Sequence, residues 1–492
     1  MTVTPLTGHV YNLTPGEDGK LREFWTLLFT VVALTLSAVY EVPVPEGSPN
    51  DLLKLLDNIQ EPSIDGLLNA LKTKSTPSSS TPADKNGVDT QSSLDKVESL
   101  VGKADKNIIL QDLSSKSITT EQLRTLFVEL RKAGIKESEI KSIEKVLTKM
   151  NLAEMCFALL KMIKQEHPDT LLLRFLRARK WDIPKAFSMM VSALLWRKSM
   201  EVEDDIVLKG ELHAWELSHN AKLSAADQKE GRDFIAQLEM GKSYLHGLDR
   251  EGRPVNVVRV RLHKPGAQTQ AALERYIVHV IESTRILIAP PVETGTIVFD
   301  MTGFSLRNME YSPVKFIIQC FEANYPESLG LLLIHNAPWI FSGIWKIIHG
   351  WMDPVVASKV CFTNTIDDLD KFIPRDRIPK ELGGDEDFEY KYIEPDPEEN
   401  AAIHNKAEGD AIMFERMMVG LKMVSATAAW IHAASSAETE EEKEAVSLLK
   451  TRRESVIAEF RQTYWKLDPY VRARALIDRM GAIQPDGTVR DY

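Results

Sequence analysis

Between Pro254 and Gly384 the spacing of apolar residues switches repeatedly between the two-residue period of a strand and the 3.6-residue period of a helix. Val255–Val260, Thr296–Asp300, Leu331–His335 and Val360–Thr363 are predicted as strands. Leu273–Ile288, Ser312–Ala323, Trp339–Met352 and the short Asp367–Phe372 are predicted as the helices between and after them. Strict alternation of this kind implies an α/β fold whose sheet is mostly parallel and joined by right-handed crossovers. Within Trp339–Met352 one apolar stripe runs Phe341, Ile344, Trp345, Ile348, Met352, and a second runs Ile340, Ile344, Ile347, Trp351. A surface helix normally shows a single stripe, so this segment is a deeply buried helix, lies against hydrocarbon, or alternates between the two. Glu327, before the preceding strand, and Lys359, after the segment, converge if strand and helix pack as a hairpin.

Upstream, Thr14-Pro-Gly-Glu17 has the form of a capping box with proline at the first helical position, so a helix starts near Pro15. It runs into Phe24–Tyr40, an uncharged, mostly apolar stretch of about 17 residues, the lower edge of what spans a bilayer. Thr26, Thr30, Thr35 and Ser37 interrupt that stretch, which favours a packed helix over a membrane anchor. A cleaved leader is disfavoured further, because the run starts late, follows Glu17, Asp18 and Glu23, and lacks a basic prelude. From Glu41 the composition turns to Ser, Thr, Pro, Asp and Lys around Ser75-Thr-Pro-Ser-Ser-Ser-Thr-Pro82, with too little apolar surface to offset ordering entropy. Residues 41–116 are therefore expected to form a disordered insertion, and residues 117–165 a helical accessory segment. In the latter, Thr120-Glu121 starts one helix, Gly134 stops it, Ser138-Glu-Ile-Lys141 starts another, and Leu152–Ile163 is a third.

Residues 166–225 open with Asp169-Thr-Leu-Leu-Leu-Arg-Phe-Leu-Arg-Ala-Arg-Lys180, followed by Asp182 as N-cap of a helix through Lys198. Arg174, Arg177, Arg179 and Lys180 gather positive charge near one helix end, either to meet an anion or to suit the negative end of the helix dipole. Residues 226–393 contain the α/β unit. After the acidic Glu394-Pro-Asp-Pro-Glu-Glu399, residues 394–492 form a helical extension, with helices near Asp410–Ala434 and Glu440–Leu467 and a last one capped by Asp468-Pro469.

The formal net charge of −11 argues against nucleic acid as a partner. Three cysteines, Cys156, Cys320 and Cys361, without CxxC spacing fit a reducing cytoplasm and exclude a disulfide scaffold or the usual structural zinc site. No GxGxxG follows a strand, and neither GxxxxGK[ST] nor HExxH occurs. Gly303-Phe-Ser305-Leu-Arg307 misses the nucleophile elbow, because arginine stands where the second glycine must be. Ser305, His335 and Asp300 could form a catalytic set only from a distance, without an oxyanion glycine. The histidines, including His335 and His349, are scattered, and isolated histidines on apolar elements are core residues more often than ligands. No enzyme activity, metal or cofactor is expected. What remains is charge beside apolar walls: Arg179, Lys180, Glu327 and Lys359 suit the phosphate-bearing head of an amphiphile.

The order of motifs resembles one family. Leu172-Leu-Arg-Phe-Leu-Arg-Ala-Arg-Lys180, Gly247-Leu-Asp-Arg-Glu-Gly-Arg-Pro254, Val298-Phe-Asp300 with Gly303, Tyr325-Pro-Glu327, Asn336-Ala-Pro338, Asp353-Pro354 with Ser358-Lys359, and Pro379 with Leu382-Gly-Gly384 follow in the order of the CRAL-TRIO (Sec-fourteen-like) lipid-transfer family. The resemblance implies a lipid-binding domain over residues 226–393, with a mostly parallel sheet as floor and an apolar gate helix. It also implies an N-terminal helical subdomain to which residues 1–40 supply the first helix. By resemblance to fungal phosphatidylinositol transfer proteins, the chain is expected to bind and exchange phosphatidylinositol without catalysis. Lys180, Glu327 and Lys359, with Arg179 beside them, match the family's headgroup contacts. Phe341, Ile344, Trp345, Ile347, Ile348, Trp351 and Met352 match its gate and acyl contacts. Val356 departs from a hydroxyl that some members carry near the inositol phosphate. Leu306 and Arg307, after Ser305, lack the hydroxyls linked to phosphatidylcholine, which disfavours that lipid. The implied partners are membrane phospholipids, met peripherally at endoplasmic reticulum or endosomal membranes by a cytoplasmic monomer. The rival expectation is a lipid- or sterol-sensing adaptor whose outer helices engage a protein such as a lipid kinase.

Overall fold

Helix α1 (Pro15–Tyr40) starts where its capping box demands: Glu17 N–H donates to Thr14 Oγ1 at 3.3 Å and Thr14 N–H donates to Glu17 Oε2 at 2.8 Å. The computed structural model describes residues 6–40 and 120–490, so the insertion expected at 41–116, and the start of the 117–165 segment, lie outside the described residues. Helix α1 is a packed helix, with Leu21, Phe24, Trp25, Leu28, Phe29, Val31 and Leu34 buried. The hydroxyls of Thr26, Thr30 and Thr35 donate to the Arg22, Thr26 and Val31 carbonyls one turn back, so none is left unsatisfied in the core. Among the described residues no helix is long and apolar enough to cross a membrane. Next come α2 (Thr120–Lys132), α3 (Glu137–Leu147), α4 (Leu152–Ile163), α5 (Pro168–Ala178) and α6 (Ile183–Ser199), the last capped as predicted by Asp182, which accepts from Lys185 N–H.

After α7 (Leu208–His219) and α8 (Ala225–Glu239) the chain enters the sheet through β1 (Ser243–Leu248) and β2 (Pro254–Arg259). The alternation then runs α9 (Gln270–Leu287), β3 (Gly295–Asp300), α10 (Tyr311–Gln319), β4 (Leu329–His335), α11 (Phe341–His349) and β5 (Val360–Thr363). Strand order is β1-β2-β3-β4-β5, with β1 antiparallel to β2 and every later pair parallel. Sequential order with right-handed crossovers places α9, α10 and α11 on one face. Strand residues alternate accordingly: Ile297, Leu332 and Ile334 join the helix-side cluster, while Tyr244, Val257, Val298 and Leu333 pack on Leu369, Ile373, Ile378 and Leu382 behind. Both faces are thus covered, as a parallel sheet requires.

Three predicted elements differ from the structure. The helix expected to reach Ala323 holds α geometry only to Gln319, and Cys320–Asn324 widens into a π turn. The Trp339–Met352 helix is shorter: α11 spans Phe341–His349, with Pro338 upstream and Gly350 as its C-cap, so Trp339, Trp351 and Met352 lie beyond its ends. At the C-terminus α12 (Lys406–Ser436) and α13 (Glu440–Val471) form a long antiparallel hairpin. Asp468-Pro469 does not cap a further helix. Pro469 sits in the last turn of α13, and Asp468 is buried against Arg472 and Arg474 at 2.6 and 2.7 Å.

The hairpin shares one hydrophobic cluster with α1 to α6. Buried carboxylates tie it together. Asp169 accepts from Trp25 Nε1 at 2.7 Å and from Arg453 Nη1 at 2.9 Å, joining α5 to α1 and α13. Burial pushes its carboxyl up, but Arg453 and His167 outweigh that and hold it at about 2. Glu293, beside His9 at 2.6 Å and Arg177 at 3.1 Å, is likewise held at about 2 against burial. Unfolded, these groups titrate near roughly 4. The depressed folded values therefore contribute stability that is complete above roughly pH 5 and is lost as pH falls toward 2, about 2 kcal/mol for each group. A melting temperature that stays flat between pH 6 and pH 3 would contradict this.

Candidate functional site

Between the sheet and α9, α10 and α11 lies a cavity with about 1420 Å3 of empty space, its mouth included. Val258, Ile297, Phe299, Leu332 and Ile334 form its floor, and Ile277, Ile281, Ile317, Phe341, Trp345 and Ile348 form its roof. Aromatic contacts hold α11 down. Phe341 meets Phe304 edge-on at 5.8 Å and Trp345 meets Phe362 at 5.2 Å. Just past the helix, Trp351 meets Tyr311 of α10 at 5.3 Å, with Lys315 Nζ 4.6 Å over its ring. Such pairs contribute about 0.5–1.5 kcal/mol each beyond area burial.

Of the seven residues predicted for the gate, Phe341, Trp345, Ile348 and Met352 line the cavity. Ile344 is buried without lining it, Trp351 is half-buried, and Ile347 is 48% exposed. The two stripes thus divide the helix into an inner face and an outward apolar edge. That edge continues to Trp339, which is 87% exposed.

Glu327 and Lys359 precede adjacent parallel strands, β4 and β5, and the structure brings them together: Lys359 Nζ donates to Glu327 Oε2 at 3.1 Å. Glu327 has φ +53, a left-handed conformation, directly after Tyr325-Pro326. Tyr325 is buried and donates its hydroxyl to Glu282 Oε1 at 2.8 Å, which fixes the turn. Neither charged residue lines the cavity, but Leu329 and Val356, close to them in the chain, do. Arg179 and Lys180 remain at the end of α5. Arg179 donates to the Ala178 carbonyl at 3.3 Å, and Lys180 is exposed with φ +52. Among the described residues no hydrogen bond or ion pair joins either to Glu327 or Lys359.

Arg174 and Arg177 have structural partners. Arg174 pairs with Glu166 and donates to the Glu293 carbonyl at 2.7 Å, and Arg177 pairs with Glu293. Burial lowers the Arg177 pKa, with Glu293 and then Glu327 opposing, so Arg177 is a cation of the basic hairpin within Coulombic reach of Glu327. A second polar group, not singled out from the sequence, lies at the opposite ends of the strands. Lys242, His263, Asn308 and Glu310 all line the cavity there. Lys242 directly precedes β1, a strand whose Ser243-Tyr-Leu-His-Gly-Leu248 lacks clear alternation, so it gives no signal in the sequence. Ser305, His335 and Asp300 have separate partners, in Asn308, Thr363 and Arg261. Among the described residues no cluster of His, Cys, Asp and Glu is placed to hold a metal ion.

Comparison with known proteins places this geometry. The CRAL/TRIO domain model matches residues 238–384, and the model of the CRAL/TRIO N-terminal domain matches residues 122–192. Phosphatidylinositol transfer protein CSR1 of Eremothecium gossypii is 34% identical over 489 residues, 98% of this chain and 100% of that one. CRAL-TRIO domain-containing protein C3H8.02 of Schizosaccharomyces pombe is 33% identical, covering 97% of this chain and 93% of that one. A solved structure described as the crystal structure of Sfh5 aligns with TM-score 0.31 and 16% identity over 42% of this chain and 67% of that one. With a relative one third identical along nearly the whole chain, and family models on both the helices and the sheet, this chain belongs to the CRAL-TRIO family.

Proposed function

We propose that the chain binds phosphatidylinositol and exchanges it between membranes without catalysis. In this reading the acyl chains fill the cavity, the headgroup lies at the Glu327–Lys359 end with Arg179 and Lys180 beside it, and α11 is the gate. The observation that carries it is a large apolar cavity with a charged pair beside one end, in a chain whose full-length relative is named a phosphatidylinositol transfer protein. Energetics agree, because each buried CH₂ gains about 0.8 kcal/mol in a protein cavity much as in a bilayer, so exchange is near neutral. The protein then acts as a monomer, peripherally, at a cytoplasmic membrane face. The test is transfer of labelled phosphatidylinositol between vesicles by the pure protein. No uptake of that lipid would overturn the reading.

The outward apolar edge supplies membrane contact. Trp339→Asp combined with Ile347→Asp changes two exposed side chains, so folding should be unaffected, and transfer should slow by about tenfold as interfacial burial is lost. A wild-type rate in the folded double variant would remove the gate from contact with the bilayer. Ile344 and Ile348, at 8% and 5% exposure, are core residues, so charge there would unfold the roof rather than test its docking.

A further inference from the structure

The cavity carries polar groups at an end that the phosphatidylinositol headgroup does not use. Lys242 lines it while only 5% exposed. Its ammonium has three donors. Among the described residues it meets His263 Nδ1 at 3.3 Å and Gln268 Oε1 at 3.4 Å, and forms no ion pair. His263 Nε2 lies 2.9 Å from Glu310 Oε2. Only one donor order satisfies these contacts: Lys242 donates to Nδ1, and the ring proton on Nε2 is donated to Glu310. The imidazole is then neutral, in keeping with burial and Lys242 lowering its pKa. Among the described residues one Lys242 proton is left without an acceptor, beside a hydrocarbon wall. Burial pushes the ammonium down to about 8, and Glu310 only partly opposes it, as expected for a buried cation lacking its counter-ion.

We propose that this end seats the carboxylate of a single-chain lipid acid, accepting a hydrogen bond from Lys242 Nζ while its chain fills the apolar cavity. A compact monoanion matches one free donor. A dianionic phosphate does not, because one lysine cannot neutralise it and Glu310, one imidazole away, repels it. The proposal rests on the cavity being a lipid site but not on which phospholipid is exchanged. Glu327 and Lys359 stand at the other ends of the parallel strands, and the seven residues of β4 alone span about 20 Å.

Oleate and methyl oleate share a chain and differ in charge. Delipidated protein incubated with an equimolar mixture is expected, by native mass spectrometry, to retain oleate over the ester by about tenfold or more. Lys242→Met should abolish that preference while methyl oleate still binds, and Lys242→Arg should restore it. Equal retention by the wild type, or an unchanged preference in Lys242→Met, would overturn the proposal. The wild type decides alone if the variants do not fold. Bound [1-13C]oleate should then show a carboxyl resonance that does not titrate as it does in water, and ordinary titration would overturn the assignment. Failure of phosphatidylinositol transfer by the wild type would overturn the exchange reading and leave the oleate preference standing.

Discussion

Lys359→Ala is expected to lower phosphatidylinositol transfer more than tenfold with little change in stability. A charge-assisted hydrogen bond to phosphate contributes about 1.5–3 kcal/mol, and one such bond is lost. The fold should tolerate the change, because the partner Glu327 is 19% exposed and partly exposed ion pairs contribute only about 1 kcal/mol or less. Adding Lys180→Ala should deepen the loss. Glu327→Ala should also weaken inositol-lipid binding, by removing an acceptor for ring hydroxyls and leaving Lys359 unpaired. A hydrocarbon or sterol, held by the apolar cavity alone, should bind as before. Loss of both ligand classes together would mean that the Glu327–Lys359 pair is structural. Unchanged phosphatidylinositol transfer would take both residues out of the site.

Glu282→Gln should be strongly destabilising. Its carboxylate is 3% exposed and gathers Lys164, Arg197 at 2.8 Å, Arg285 at 3.2 Å and the Tyr325 hydroxyl at 2.8 Å. Burial alone would raise its pKa, but Arg197, Lys164 and Arg285 hold it well below the usual carboxylate range. Neutralising it strands buried cations, which costs about 3–5 kcal/mol. With an unfolding entropy of about 2.1 cal/mol/K per residue, a chain of this length should lose roughly 5 °C in melting temperature. A shift within the error of a thermal melt would show that the cations find other partners. The effect should reach function as well, since Tyr325 anchors the turn that presents Glu327.

The alternation of periods made β2 to β5 and their crossovers legible, because a parallel sheet buried on both faces needs apolar strands broken by helices. Capping chemistry did the same for α1 and α6, where Thr14 and Asp182 satisfy first-turn N–H groups. The antiparallel β1 is not legible in the sequence, and neither is the place of Lys242 just before it. The end of α10 is not legible in the sequence, because a π turn keeps the same apolar residues as the helix it widens. For Arg174 and Arg177 the structure shows a third role beside the two open for the basic hairpin, ion pairs with the protein's own carboxylates. Arg174 and Arg177 bind Glu166 and Glu293, and the Arg177–Glu293 pair spans 116 positions, a separation that no local pattern encodes. Among the described residues Arg179 and Lys180 form no such pairs. Glu327 and Lys359, 32 positions apart, are expected from the sequence to meet across a strand–helix hairpin, and the structure joins them because both precede strands that lie side by side.

Sequential strand order gives the domain an asymmetric compliance. Every crossover helix lies on one side of the sheet, so under the proposed gating α11 would move on its flanking loops while the strands stay hydrogen-bonded in register. The back layer, from Leu369 to Leu382, packs on the other face of the sheet and shares none of those aromatic contacts. A doubly wound sheet, with crossovers on both sides, has no such free side. In the proposed gating, opening would part these ring pairs and the buried Ile344 and Ile348 contacts of α11, while the sheet keeps its register.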